Sequence, residues 1–421
     1  MCDFHQEMPL IQQFNGMKMT TLEGSGGLSK SNGKIVSKQA MKRRIFASLR
    51  EQGYDVSADT ISIPNESTKD DLREIQQHAT KNTLEKNEKA IRRYEKKLIQ
   101  YIANGDEVVP EKIDPELILV QHKSEHERLF RYISLHWSIP VSSGYGRRMR
   151  FLLMDRSNGK VIGIFALGDP VFSLRDRDTW IGWNRETRQQ RLYHVMDAYV
   201  LGAVPPYSYL LGGKFVALST LSNEVRKHFQ KKYEENRPLI SKKQKPPILA
   251  MITTTSALGR SSIYNRIKAN GTTYWHRIGF TQGGGEFHFS NGIYEDLRAF
   301  VVHHCNPTMR HKDWGDGFRN KREIVGNCLH VLGLPRTFAN HGIPREIFAA
   351  PLGEKALEYL RGESKQVQFY DWPLSVLFEM FRDRWLLPRA ERMSDWKDFR
   401  SESYLIWENN PAKNKGTQVQ P

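Results

Sequence analysis

Apolar residues recur at helical spacing near the start of the chain. Residues 40–53 place apolar side chains among basic ones and end on a glycine, which is typical of a single helix. The longer stretch 67–105 carries one apolar stripe through charged residues and predicts one long helix or two stacked ones, opened by Ser67 and Asp70 as a capping box. These patterns predict an N-terminal helical region over residues 40–117.

Beyond this region the pattern becomes that of strands alternating with helices. Apolar runs at 149–155 and 160–168 flank the turn sequence RSNG, which predicts a β-hairpin. Helical spacing follows over 184–201 and again after the paired glycines at 212–213, and further strand-like runs extend to residue 300. Alternation of this kind predicts one layered domain.

The sequence therefore predicts an α/β (or α+β) core domain over residues 118–300, with a central mixed sheet flanked by helices. Residues 301–408 are rich in helical spacing and loops and predict a C-terminal helical region. The Gly- and Ser-rich residues 1–39 predict a flexible arm, and residues 409–421 predict a disordered tail.

Charge adds the first functional indication. The 421 residues carry a formal net charge of +16, with a sequence pI of about 9.6, and a surplus of this size favours a polyanionic partner such as nucleic acid. No apolar run approaches the ~20 residues that a membrane span needs. The three cysteines and an N-terminus without a secretory signal lead us to expect a cytoplasmic protein.

Two stretches combine basic residues with glycine or aromatic residues. In SSGYGRRMRF (142–151) the arginines either bind a phosphate or form the basic outward face of a strand. Residues 226–245 carry eight Lys or Arg against two Glu, with Phe229 and Tyr233 between them, a pattern typical of a nucleic-acid surface or of a solvated helix end. The candidate contacts are Arg147, Arg148, Arg150, Arg226, Lys227, Lys231 and Lys232.

The segment RDRDTWIGW (175–183) has two interpretations of equal weight. Arginine beside tryptophan suits stacking on a base, and it equally suits a buried loop held by an Arg–Asp pair. In the predicted helix 184–201, side chains three or four residues apart share a face that either follows a phosphate backbone or is simply solvated. The candidate contacts here are Arg177, Trp183, Arg188 and Arg191.

Several polar residues are candidates for catalysis. Carboxylates near the ends of core elements either bind Mg²⁺ in a nuclease or form turns and ion pairs. Arg260, Tyr264 and the glycines 283–285 suit a phosphate cradle or a hairpin tip. No His or Cys spacing matches a metal site, so no metal or other cofactor is expected unless the protein is a Mg²⁺ nuclease. The carboxylate candidates are Asp155, Asp169, Asp178 and Asp197.

Several long strings in the middle of the chain match a known family. They include LFRYISLHWSIPVSSGYGRRMRFLLMD, ALGDPVFSLRDRDTWIGW and RLYHVMDAYVLGAVPPYSYLLGGKFVAL, and together the matching strings extend over about residues 40–300. In these strings the chain resembles the DruA family of Druantia anti-phage defence proteins. The resemblance implies a bacterial defence role beside other Druantia components, including a large helicase, and transposase-fused relatives point to DNA. The implied functional positions are Arg147, Arg148, Arg150, Asp169, Arg177, Asp178, Trp183, Arg191, Asp197, Pro205, Pro206, Tyr207, Lys214, Arg260, Tyr264, Gly279 and Thr281.

The predicted order of elements also resembles a GNAT-like acetyltransferase fold. That resemblance implies a glycine-rich loop after the fourth strand that binds the pyrophosphate of acetyl-CoA, and a catalytic tyrosine near Tyr264. In the matching place, GDPVFSLRDRDTWIGWNRETRQQRL, no Q/RxxGxG/A pattern occurs. The missing pattern argues against acyl transfer, even on a fold of this kind.

Our sequence-based hypothesis is a DNA-binding component of an anti-phage defence system, which acts with a helicase-like partner on DNA, with single-stranded DNA as one option. The alternative is an enzyme on the same core, either a metal-dependent nuclease or a GNAT-like transferase. A scaffold whose basic surface meets acidic proteins is a third interpretation. The sequence leaves the oligomeric state, and the choice between DNA and RNA, open.

Overall fold

The structure is a computed structural model, and it describes residues 36–64, 67–141, 146–234, 246–269, 271–290, 292–306 and 318–407. The predicted tail, nearly all of the predicted arm, residues 142–145 of the glycine–arginine stretch and the basic residues 235–245 lie outside the described residues.

A mixed sheet of seven strands forms the centre of the fold. In chain order the strands are β1 (Pro115–Leu119), β2 (Arg148–Asp155), β3 (Lys160–Gly168), β4 (Val195–Ala203), β5 (Met251–Thr255), β6 (His276–Phe280) and β7 (Glu346–Pro351). They lie side by side in the order β6-β7-β5-β4-β3-β2-β1. Neighbours pair antiparallel, except that β4 and β5 are parallel.

Helices flank this sheet and extend it at both ends of the chain. The N-terminal part supplies α1 (Lys38–Glu51) and α2 (Lys69–Ile91), followed by the single turn Glu95–Leu98. Three two-stranded ladders pair Asp55–Val56 with Ile61–Ser62, Lys268–Ala269 with Thr272–Thr273, and Gly353–Glu354 with Gln368–Phe369. The remaining helices are α3 (Glu125–Ser134), α4 (Arg175–Ile181), α5 (Arg185–Arg191), α6 (Gly212–Ser219), α7 (Asn223–Tyr233), α8 (Ile293–His304), α9 (Phe318–Val331), α10 (Ala356–Arg361), α11 (Leu374–Phe381) and α12 (Leu387–Arg392).

The sheet is covered on both faces. Successive residues of β2 alternate between two apolar clusters, because side chains of a strand point to opposite faces. Phe151 and Leu153 pack with residues of α6, α7 and α11, whereas Leu152 and Met154 pack with residues of α3 and the C-terminal segment. The described helices include none that is long and apolar enough to cross a membrane.

The hairpin prediction is confirmed, but the prediction of a helix over 184–201 is wrong. Helix α5 ends at Arg191, and the chain then enters β4, which pairs with β3 and β5. Valine and tyrosine residues in VMDAYVLGA suit a paired strand, so tertiary pairing outweighs the helical spacing. Arg188 and Arg191 therefore lie on a helix and Asp197 on a strand, and the three side chains do not share one helix face.

Two further differences concern the ends of elements and the extent of the sheet. Thr68 and Asp71, rather than Ser67 and Asp70, form the capping box of α2. Strand β7 lies within the region predicted to be helical, and it pairs between β5 and β6. The sheet therefore draws on residues from Pro115 to Pro351, beyond the predicted core of 118–300.

Candidate nucleic-acid interface

Helix α7 presents one apolar and one basic face. Val225, Phe229 and Tyr233 are buried against the sheet, and the Ser222 side chain caps the helix by accepting from the amide of Val225. The opposite face carries exposed side chains four residues apart, which makes them neighbours on the helix surface. The exposed cations of α7 are Lys227, Lys231 and Lys232.

The start of β2 lies against the end of this helix. The ammonium group of Lys232 donates to the carbonyl oxygen of Arg148 at 2.8 Å, and the Tyr233 hydroxyl donates to the same oxygen at 3.3 Å. The two residues of the first pair lie 84 positions apart in sequence. Partial desolvation, followed by the nearby charge of Arg150, lowers the pKa of Lys232. The side chain of Arg148 is exposed. We call Arg148, Lys227, Lys231 and Lys232 the basic surface.

Arg147 joins these elements rather than lying on the surface. Its backbone amide and its Nε atom donate to the carboxylate of Asp169 at 2.9 and 2.7 Å. Its guanidinium lies over the rings of Tyr193, Phe229 and Tyr233, 4.1 to 5.5 Å from their centroids. With 13% of its side chain exposed, Arg147 fixes the position of its neighbour Arg148. Arg150 is partly buried and forms an ion pair with Glu127 at 3.1 Å.

The Arg–Trp segment forms a buried cluster. Arg177 is fully buried and donates twice to Oδ1 of Asp178, from Nε at 2.9 Å and from Nη2 at 2.6 Å. Arg188 donates to the other oxygen of Asp178 at 2.8 Å. Trp183 donates its indole N–H to the carbonyl oxygen of Leu360 at 2.6 Å. The structure thus agrees with the interpretation of a loop held by an Arg–Asp pair.

Comparison with known proteins identifies the family. The family model "DruA: Druantia protein DruA" matches residues 66–362. A curated protein, "Druantia protein DruA" from Escherichia coli (strain UMEA 4076-1), is 37% identical over 376 residues, which cover 88% of this chain and 92% of the relative. The chain belongs to the DruA family. No solved structure matches it.

Both segments of the basic surface in this DruA-family chain lie within the matched residues. The relative's name places it in the Druantia system, which supports an anti-phage defence role. Three further candidate cations contact other parts of the chain. Arg191 lies 4.9 Å from the ring of Tyr359, Arg226 donates to the carbonyl oxygen of Tyr370 at 2.8 Å, and Arg260 is exposed beside Glu346.

Each candidate carboxylate of the DruA-family chain has hydrogen-bond or ion-pair partners of its own. Asp155 accepts from Tyr207 and from the turn that it opens, Asp169 pairs with Arg147, and Asp178 binds two arginines. Asp197 accepts from the hydroxyl of Thr253 at 2.8 Å. Its carboxylate is largely removed from water, and this desolvation raises its pKa to about 6. Among the described residues no three metal-ligating side chains converge.

The segment after the fourth strand of the central sheet is where the GNAT-like resemblance would place a pyrophosphate loop. That strand is Val195–Ala203, so this segment begins at residue 204 rather than at Gly168. The amides of residues 208–212 all donate to carbonyl oxygens within this segment and are not available to a phosphate. Tyr264 is buried between Trp275 and Phe348, and burial raises its pKa to about 12.

Lys214 of the DruA-family chain is buried, and no countercharge for it is found among the described residues. Its side chain lies on α6, 5.5 Å from the ring of Trp385, and its ammonium has no hydrogen-bond partner among the described residues. Burial, followed by repulsion from Arg266, lowers its pKa to about 8. An unpaired buried ammonium destabilises a fold.

We expect Lys214→Met to raise the free energy of unfolding by ~1–3 kcal/mol near neutral pH, because the apolar stem is kept and the unsatisfied charge is removed. In the wild type, the folded state loses this proton near pH 8, whereas the unfolded state keeps it to pH ~10.4. Wild-type stability should therefore rise between these pH values, and the advantage of the variant should shrink. Urea unfolding at pH 7 and pH 10 measures both effects. A destabilised variant at pH 7 would contradict this assignment.

Proposed function

We propose that this DruA-family protein is the nucleic-acid-binding component of an anti-phage defence system. One observation carries the proposal. The cations of α7 and the start of β2 come from distant parts of the sequence, and Lys232 and Tyr233 of α7 both donate to the carbonyl oxygen of Arg148, which brings the two elements into contact. Exposed Lys and Arg side chains on adjoining elements bind phosphates without reading sequence.

Two acidic residues near this surface are paired with arginines, whereas Glu234 at the end of α7 is exposed. Asp169 binds Arg147, and Glu127 binds Arg150 and the amide of Lys123. Their charges are largely compensated, so they do not cancel the field of the exposed lysines. The basic residues that continue the chain beyond α7 lie outside the described residues, and they add to the same positive charge in sequence terms.

The partner in this proposal is DNA, and the protein acts with other Druantia proteins, among them a large helicase. A helicase produces unpaired strands, and a protein that binds phosphates without reading sequence can bind these strands. The proposal assigns no catalytic step to this chain. Co-purification with the other Druantia proteins after nuclease treatment would separate a protein-mediated assembly from one bridged by nucleic acid.

A salt titration of the purified, nuclease-treated protein tests the binding. If the four cations of the basic surface each displace a counterion, the plot of log affinity against log salt concentration should have a slope of about −3. Affinity should then fall about 50- to 150-fold when salt rises fourfold. Fluorescence anisotropy with labelled oligonucleotides measures this slope. Undetectable binding at low salt, or a slope near zero, would contradict the proposal.

A further inference from the structure

Two exposed apolar side chains lie in the loop that leads from β3 to α4. Val171 and Phe172 are 48% and 54% exposed, and they are neighbours in the chain. The sequence offers only a weak signal for them, a pair of apolar residues in the loop GDPVFS, and neither residue was among the predicted contacts. The loop begins at Asp169, the carboxylate that binds Arg147, so it adjoins the basic surface.

Two arginine side chains hold this loop in place. The buried guanidinium of Arg177 donates to the carbonyl oxygen of Val171 at 2.8 Å and to that of Phe172 at 3.2 Å. The guanidinium of Arg188, fixed by Asp178, lies 4.8 Å from the centroid of the Phe172 ring. An exposed ring that is already ordered loses little conformational entropy when it binds a ligand.

A second exposed aromatic side chain lies at the same helix. Phe280, at the end of β6, is 41% exposed, and its backbone amide donates to Asp176 in the first turn of α4 at 2.8 Å. The guanidinium of Arg277 lies 5.8 Å from its ring. Phe172 and Phe280 therefore both adjoin the start of α4, and each is accompanied by an arginine.

The chemistry of these rings restricts the nucleic acid that the surface takes. Duplex nucleic acid hides the faces of its bases in the stack, whereas an unpaired strand exposes them to aromatic side chains. Lysines that bind phosphates beside a ring that stacks on bases are the combination found in proteins that bind single strands.

We propose that Phe172 stacks on bases of an unpaired strand whose phosphates lie on the basic surface, so that the protein prefers single-stranded nucleic acid to a duplex. This inference rests on the function proposed above and adds the class of its ligand. Phe280 extends the same path across the first turn of α4.

The test compares Phe172→Leu, which keeps an apolar side chain without a π face, with Phe172→Trp, which keeps an aromatic ring. Anisotropy is measured with the same sequence as single-stranded DNA, single-stranded RNA and duplex DNA. For the strand that the wild type binds most tightly, Phe172→Leu should weaken binding about 5- to 100-fold. The salt slope of Phe172→Leu should be unchanged because no phosphate contact is lost, and its affinity for duplex DNA should also be unchanged. Phe172→Trp should bind like the wild type.

The outcomes separate this inference from the proposed function. If the wild type binds with a steep salt slope and Phe172→Leu binds single strands like the wild type, the stacking role is overturned while the basic surface stands. An equal loss for single strands and duplex would also overturn it, because the loss of a ring that stacks on unpaired bases should not weaken duplex binding. If the wild type binds no nucleic acid at low salt, the proposed function itself fails. Matching thermal midpoints of all variants confirm that folding is intact.

Discussion

Replacing Arg177 with methionine should lower the free energy of unfolding by about 3–5 kcal/mol. Methionine fills much of the apolar volume, but it leaves the carboxylate of Asp178 with Arg188 as its remaining ion-pair partner, and it leaves two carbonyl oxygens of the 171–172 loop without this donor. Breaking a buried ion pair by removal of one partner is strongly destabilising because the other charge stays buried. Urea unfolding measures the change.

The matched control is Arg175→Met, which removes an exposed arginine from the same helix and should change stability by no more than ~0.5 kcal/mol. Arg177→Lys should not restore the wild-type stability, because an ammonium group lacks the planar fork that serves Asp178 and both carbonyl oxygens. An Arg177→Met protein within 1 kcal/mol of the wild type would show that this cluster does not hold the loop.

Reversing three charges of the basic surface should nearly abolish nucleic-acid binding. We expect the triple variant Arg148→Glu, Lys227→Glu, Lys231→Glu to bind at least ~100-fold more weakly at low ionic strength, because phosphate contacts are lost and repulsion is added. These side chains are exposed, so the stability of the fold should change little. Anisotropy measures binding, and plaque counts measure phage protection in cells that carry the complete defence system.

The control for this variant carries the same change of charge elsewhere. Lys81, Lys86 and Lys89 are exposed on α2, and their joint replacement by glutamate alters net charge equally. We expect this control to keep most of the affinity and the phage protection. Equal losses in both variants would mean that only net charge matters and that no defined surface binds the strand.

Local pattern was sufficient for part of the fold. The hairpin of β2 and β3 was predictable because two apolar runs enclose the turn residues Asn158 and Gly159. Strand β4 was not, since RQQRLYHVMDAYVLG fits a helix in spacing while its second half forms strand pairs that exist only in the tertiary structure. Strand β7 was missed for a similar reason, because a short apolar run in a helix-rich region does not reveal a partner far away in sequence.

The site was predictable in its parts but not in its arrangement. Sequence singled out both basic segments, but the bond between Lys232 and Arg148 spans 84 residues, and a single sequence does not disclose such a contact. Sequence also left the roles of Arg177 and Arg147 open, because burial decides whether an arginine meets solvent or a carboxylate. The exposed ring of Phe172 was missed, since apolar residues are expected inside the protein.

The central claim is that the α7 lysines and the start of β2 bind one nucleic-acid strand together. The most direct test measures the salt slope for Arg148→Gln, Lys231→Gln and the double variant. We predict that each single change reduces the magnitude of the slope by about 0.7–0.9, and that the double variant loses the sum. If either residue leaves the slope at its wild-type value, the two segments do not form a common phosphate-binding surface, and the account is contradicted.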